Sequence, residues 1–411
     1  MKTICKRVLV CVLAVLLLIT ATACSPSFKE PSAYLELPDH FNAGTDFPMR
    51  FFSSFDYPMV PDANGYYIFN ASFLFYFDRE SGISAPVCNR PECFHNGTTC
   101  NAYFSRGMND LLQFYEGKLY VTVTERDENQ NPSCWLYEVN PEDCTRSRIC
   151  QMPYLAEESV RFFMHRGYLY IVSYEVAAYE GNSQELKPAF VVAERIALNE
   201  LSEKSLTPEL IFKHESYSFG MPYIFGNHLL VQYQQQGAIG LDFIWTDIDL
   251  NTLETETIAF PDLPNSAYIA FEREYEDKLI ATYVDYNDYL KNDCTTRYYT
   301  YDLQAGTFEP FATLPDRGEG VYDLYAWDGE NHCAFYLDKM HVAADKVSTQ
   351  EFRVLDENFE TKKQIPTDWD VYGFLPSDSD YTFFTIVEDN LVHLYAIDKR
   401  GEELKIVKVF E

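Results

Sequence analysis

Four residues in the first quarter of the chain have types and spacing suited to chemistry. Cys88, Cys93, His95 and Cys100 form the pattern Cys-x4-Cys-x-His-x4-Cys. Three thiolates and an imidazole can hold a zinc ion tetrahedrally. The same thiols can instead be oxidised, the usual fate of cysteine outside the cytoplasm. After Cys24 the chain carries Cys88, Cys93, Cys100, Cys134, Cys144, Cys150, Cys294 and Cys333, an even set that fits four disulfides. Zinc would use three of them and leave an odd thiol. The oxidised reading is therefore preferred, and zinc is the alternative. A turn near 140–143 would fold Cys134 against Cys150, which leaves Cys144 to a distant partner such as the 88–100 segment.

A second candidate is acidic and aromatic. Asp285, Asp288 and Asp293 share a short stretch with Tyr283, Tyr286 and Tyr289. Carboxylate oxygens there could hold a calcium ion, and tyrosine rings could stack on a sugar or peptide. Asp285, Tyr286, Asp288, Tyr289 and, further on, Trp369 are the ligand-binding candidates. The plainer readings are a solvated loop and a packed tryptophan. No catalytic residue is assigned. The chain lacks a Gly-x-Ser-x-Gly elbow, a His-Glu-x-x-His pair and a phosphate-binding glycine loop. Acidic pairs suited to glycoside chemistry are too easily met in so acidic a chain to carry weight. His165, His228 and His332 fall at turns, and His332 and Cys333 are neighbours on a strand, so they point to opposite faces.

The elements that must position these residues repeat. Strands that run into an Asp or Asn recur at Phe75–Asp78, Tyr137–Asn140, Ile196–Asn199, Ile248–Asn251, Tyr301–Gln304 (with Asp302 as its acid), Arg353–Asp356 and Leu394–Asp398. An Asp or Asn side chain can bond the backbone two residues on and so open a tight turn. A second marker, a Gly, Asn or Asp turn followed by an apolar strand, precedes each copy. It begins at Gly65, Gly117, Gly167, Asn227, Asp277, Asn331 and Asp380. The period is about fifty residues, enough for four short strands and their turns. Phenylalanine and tyrosine number 31 each, which suits half-buried strands. The expectation is an all-β fold, a seven-bladed β-propeller of four-stranded antiparallel blades, with six or eight blades or stacked sandwiches as alternatives. The last repeat holds a full set of strands, so the ring can close without one from the N-terminus. With strands A to D running outward, the A–B and C–D turns share one face. The B–C loops and inter-blade links share the other, where binding is expected.

The N-terminus reads as a leader. Lys2, Lys6 and Arg7 precede a twelve-residue apolar run, too short to span a bilayer comfortably. Ala21-Thr22-Ala23-Cys24 follows, resembling a bacterial lipobox with Ala where Leu is usual. Lipid on Cys24 would hold the protein at a membrane without a spanning helix. The divisions expected are 1–23 leader, 24–56 tether and N-terminal strap, and 57–411 propeller. The leader contains three basic residues and no acidic one, so its removal takes the formal charge from −31 to −34. Such a field excludes nucleic acid and other polyanions as partners.

Phe75 to Gly82 running into Cys88, Cys93, His95, Cys100 and Asn101-Ala102-Tyr103 resembles a group of uncharacterised lipoproteins of Gram-positive anaerobes, with TolB-like or YWTD-like propellers. The likeness covers about residues 60–105 and is only architectural beyond. It implies fold and location and carries over no catalytic residue. The expected protein is a lipid-anchored, extracytoplasmic propeller that binds a protein, peptide or glycan at the cell surface and has no assigned cofactor beyond a possible calcium or zinc. A glycan hydrolase or lyase and an envelope scaffold are the alternatives.

Overall fold

The computed structural model describes residues 40–42, 44–51, 57–105, 111–142, 144–154, 159–175, 189–202, 206–218, 220–237, 240–260, 267–275, 278–285, 297–313, 320–328, 330–338, 348–389 and 391–410. They form seven four-stranded antiparallel blades in a ring. Blade 1 comprises Met59–Pro61, Gly65–Asn70, Phe73–Asp78 and Ser84–Pro86, and blade 2 Leu112–Tyr115, Lys118–Arg126, Pro132–Val139 and Arg146–Gln151. Blade 3 has Val160–His165, Tyr168–Glu175, Ala189–Ala197 and Glu209–Ser216. Blade 4 has Tyr223–Phe225, His228–Gly237, Gly240–Asp249 and Thr255–Thr257. Blade 5 has Ala267–Tyr275, Lys278–Asp285, Arg297–Asp302 and Thr307–Thr313. Blade 6 begins with Gly320–Trp327, His332–Asp338 and Ser348–Leu355. The long strand Thr361–Ser377 then serves twice: its first half is strand D of blade 6 and its second half strand A of blade 7. Tyr381–Glu388, Leu391–Asp398 and Lys405–Lys408 complete blade 7. No helix among the described residues is long and apolar enough to cross a membrane.

Burial orders the strands within a blade. Tyr223–Phe225 is buried throughout, whereas Thr255–Thr257 is exposed throughout. Strand A is thus innermost and strand D lies at the rim. The turn chemistry follows the sequence. Asp78, Asn140, Asp249, Asp302, Asp356 and Asp398 each end a strand C and accept backbone N–H groups two or three residues on. Blade 3 departs: Leu198–Glu200 forms a short 3-10 turn there instead. Asp62, Asp328 and Asp378 close A–B turns in the same manner.

The four strands of blade 7 all come from the C-terminal part of the chain, so among the described residues no N-terminal strand closes the ring. Side chains close it instead. Tyr66, Ile68 and Phe77 of blade 1 pack with Tyr381, Phe383, Leu394 and Ala396 of blade 7. Burial of this apolar seam, at about 25 cal/mol per Å², replaces the backbone ladder that a shared strand would supply.

The N-terminal strap does more than lie over the domain. Its described residues between 40 and 51 are tied to the A–B turns of blades 2 and 3, and Phe41 stacks on Phe225 of blade 4. Glu116 N–H donates to the Gly44 carbonyl and Arg166 N–H to that of Thr45, and Phe47 N–H donates to His165 Nδ1. The turn Met49–Phe51 then touches the inner strands of blades 1, 4 and 5 and the strand Thr361–Ser377. Only a segment on the axis can meet strands on opposite sides of a ring. Phe47, Met49 and Phe51 are buried there.

Two register findings change sequence expectations. A bulge at Leu136/Tyr137 shifts the hairpin of blade 2, so Cys150 faces Leu136 and the Cys134 carbonyl accepts Met152 N–H. Cys134 and Cys150 therefore do not face each other: the ladder from Val139/Arg146 to Tyr137/Arg148 already runs one residue off that register, and the bulge adds another. In blade 4 the B–C connection, expected to be a loop of the binding face, is short, because strands B and C pair out to Gly237 and Gly240.

Candidate metal centre

The link from blade 1 to blade 2 must travel from the rim to the axis. Its second half is well anchored. Leu74 N–H donates to the Ala102 carbonyl, and Phe104 N–H to that of Ser72, beside the B–C turn of blade 1. Phe104 is fully buried against Phe69, with ring centroids 5.5 Å apart. The first half has no such core. From Asn89 to Thr99 every residue is exposed except Cys93, His95 and Gly97.

Within that half, the sequence-predicted residues converge. One ligand atom from each of Cys88, Cys93, His95 and Cys100 lies within 4.8 Å of all the others. His95 Nδ1 is 3.4 Å from Cys100 Sγ. Tight turns place the ligands: Cys93 N–H donates to the Arg90 carbonyl and Cys100 N–H to that of Gly97. His95 sits at φ +51°, a left-handed conformation that costs a non-glycine residue about 1 kcal/mol or more. Burial works to raise the Cys88 thiol, but N–H groups of Arg90 and Asn101 donate to its sulfur and bring it below the ordinary cysteine range. Cys100, the deepest of the four, is pushed up to about 11, chiefly by burial. Among the described residues no other His, Cys, Asp or Glu group of three or more converges in this way.

No disulfide joins the described cysteines. Cys134 and Cys150 belong to the core around blades 2 to 5, and Cys144 to the core between blades 1 and 2. Cys294 lies outside the described residues, as do Cys24, Tyr286, Asp288, Tyr289 and Asp293. Asp285 ends strand B of blade 5, paired with Ala267. Trp369 is a packed side chain, half-buried and stacked on Phe384 at 5.4 Å and Tyr395 at 6.1 Å.

The turn face, expected to be plain, holds buried polar groups that sequence reading missed. Lys399 Nζ lies 2.5 Å from Asp328 Oδ2 and donates to the Asp378 carbonyl and Ser377 Oγ. Cys333 Sγ is 3.5 Å from the same ammonium. Burial works against the Asp328 carboxylate, yet Lys399 and the N–H groups of Glu330 and Asn331 hold it below the usual range. This cluster ties the A–B turn of blade 6 to the turns of blade 7. In blade 3, Arg166 pairs with Asp46 at 2.7 Å and donates to Asn227 Oδ1. His165 is fully buried and not a surface turn residue. Its Nδ1 accepts Phe47 N–H, so its Nε2 carries the proton toward the Gly226 carbonyl. A cation directly after a turn Asp (Asp78-Arg79, Asp398-Lys399-Arg400) was the available signal for the ion pairs of the first and last blades.

No protein-family model matches the chain, and no curated protein matches it by sequence. Solved structures match at low identity. A prolyl endopeptidase is 12% identical with a TM-score of 0.49, over 88% of this chain and 50% of that one. The acylaminoacyl peptidase of Pyrococcus horikoshii is 10% identical with a TM-score of 0.49, over 89% of this chain and 54% of that one. A putative 6-phosphogluconolactonase of Bacteroides fragilis is 11% identical with a TM-score of 0.44, over 85% of this chain and 98% of that one. The chain thus spans about half the length of the two peptidases.

Proposed function

We propose that the protein is a lipid-anchored, extracytoplasmic propeller that binds a protein, peptide or glycan partner and performs no chemistry of its own. The observation that carries this reading is the occupied axis. Met49 and Phe51 are 4% exposed and touch inner strands around the ring, so a substrate entering the central funnel meets apolar side chains of the chain itself. Recognition is then left to the face of B–C loops and inter-blade links. That face presents Phe94, the most exposed large apolar residue described, at 88%. An apolar ring held out in water is open to contact with a partner. The leader, the Cys24 motif and the resemblance to Gram-positive lipoproteins support the anchor. The acidic charge disfavours nucleic acid.

The test uses the chain from Ser25 onward, immobilised and probed with glycan and peptide arrays, beside its Phe94→Ala variant. Saturable binding that Phe94→Ala weakens at least tenfold supports the reading. Turnover of a glycan or peptide by the same preparation would overturn it. Incorporation of a labelled fatty acid into the full chain, lost in Cys24→Ser, tests the anchor separately.

A further inference from the structure

We propose that Cys88, Cys93, His95 and Cys100 bind one zinc ion, which holds the blade 1 to blade 2 link in its observed shape. Geometry carries the inference. At a tetrahedral zinc with Zn–S near 2.3 Å and Zn–N near 2.1 Å, ligand atoms sit ~3.5–3.8 Å apart. The four atoms lie within 4.8 Å of one another, and the His95 Nδ1 to Cys100 Sγ edge is 3.4 Å. A disulfide requires sulfurs about 2.0 Å apart and would join only two of three thiols. The imidazole would then have no part in the cluster.

The surrounding chain gives a second, independent argument. Eleven residues from Asn89 to Thr99 hold a defined path while turning almost every side chain outward. A segment without an apolar core needs a covalent or metal staple to repay its ordering entropy. The groups it does turn inward are Cys93 and His95, facing Cys88 and Cys100. His95 accepts a left-handed backbone in the process. Binding displaces the thiol protons, and three thiolates with one neutral imidazole give the zinc site a net charge of −1. Four protein ligands leave no open position, so the site is structural in character. The strands of blade 1 and blade 2 pair independently of this segment, so the ring persists without the metal.

The full chain after its leader, purified under reducing conditions, is assayed for metal and then titrated with Co²⁺ after chelation. The expected result is one zinc per chain and, with Co²⁺, the intense visible absorption of a tetrahedral thiolate site. His95→Cys retains the metal, whereas Cys93→Ala lowers affinity at least a hundredfold while leaving the β-sheet circular dichroism unchanged. Absence of both metal and Co²⁺ absorption in the reduced chain would overturn the proposal. So would a stable disulfide among Cys88, Cys93 and Cys100, seen as a two-hydrogen mass loss in peptides from protein kept in the presence of zinc.

Discussion

Arg79 of blade 1 and Asp380 of blade 7 form an ion pair at 2.6 Å that spans the seam where the ring closes. Arg79 also reaches Asp378 at 3.2 Å and lies over the Tyr66 ring, while Tyr381 donates its hydroxyl proton to the Arg79 carbonyl. The seam joins residues some three hundred positions apart without a shared strand. Its polar half also includes the Tyr66 hydroxyl, which donates to Asp378, and the Arg400 guanidinium, which donates to the Arg79 carbonyl.

Replacement of Arg79 by Ala should destabilise the domain by roughly 1–3 kcal/mol, the range for hydrogen bonds to charged groups that are partly shielded from water. The urea midpoint should fall with an unchanged slope. A double-mutant cycle with Asp380→Ala should return a non-zero coupling. Independent effects of the two substitutions would remove the pair from the closure.

The buried pair Lys399–Asp328 should behave differently. Lys399→Met leaves the Asp328 carboxylate uncompensated and should cost about 3–5 kcal/mol. Asp328→Asn keeps the oxygen that caps the turn at Glu330 and Asn331, so the double variant should recover much of that loss. Denaturation curves of the three variants decide the matter. A double variant no better than Lys399→Met would contradict the pairing.

Acid should weaken the fold before carboxylates titrate. His165 and His332 are held neutral, each pushed down to about 4 by burial against an ordinary 6.5. The unfolded chain therefore binds their protons more tightly than the folded one. Their contribution is intact above pH 6.5, declines as the pH falls toward 4, and levels off below it. Urea midpoints should stay level from pH 7.5 to about 6.5 and then drop steadily to pH 4.5, and the ring carbons of both residues should report neutral imidazole by NMR at pH 5.5. A flat midpoint over that range would refute the assignment.

Much of the ring was legible because strand period and turn chemistry are local. The Asp or Asn ending strand C announces its turn in every blade but the third, and the fifty-residue repeat pointed to about seven blades, with six or eight left open. The Cys/His cluster was legible as a spacing, but its state was not. Counting cysteines favoured disulfides because an even number pairs on paper, whereas pairing depends on register, and the ladder of blade 2, with its bulge at Leu136/Tyr137, keeps Cys134 and Cys150 from facing each other. The strap was opaque for a different reason. Residues 40–51 have no period, since their side chains answer separate elements: Asp46 meets Arg166 and Phe47 meets Phe163 in blade 3, and Phe51 meets Tyr66 in blade 1. Contacts such as Asp46–Arg166 and Phe47–Phe163, over a hundred positions apart, leave no local pattern.

The occupied axis is the claim on which the functional reading stands, and hydrogen exchange of the full chain measures it directly. Peptides covering residues 44–51 should exchange as slowly as those from the inner strand Val160–His165, because Phe47 N–H is buried against His165. Phe51→Ala, which opens a cavity there and should cost about 3–5 kcal/mol, should speed both together. Exchange of residues 44–51 within seconds, while the inner strands stay protected, would contradict an axis filled by the chain's own N-terminal segment.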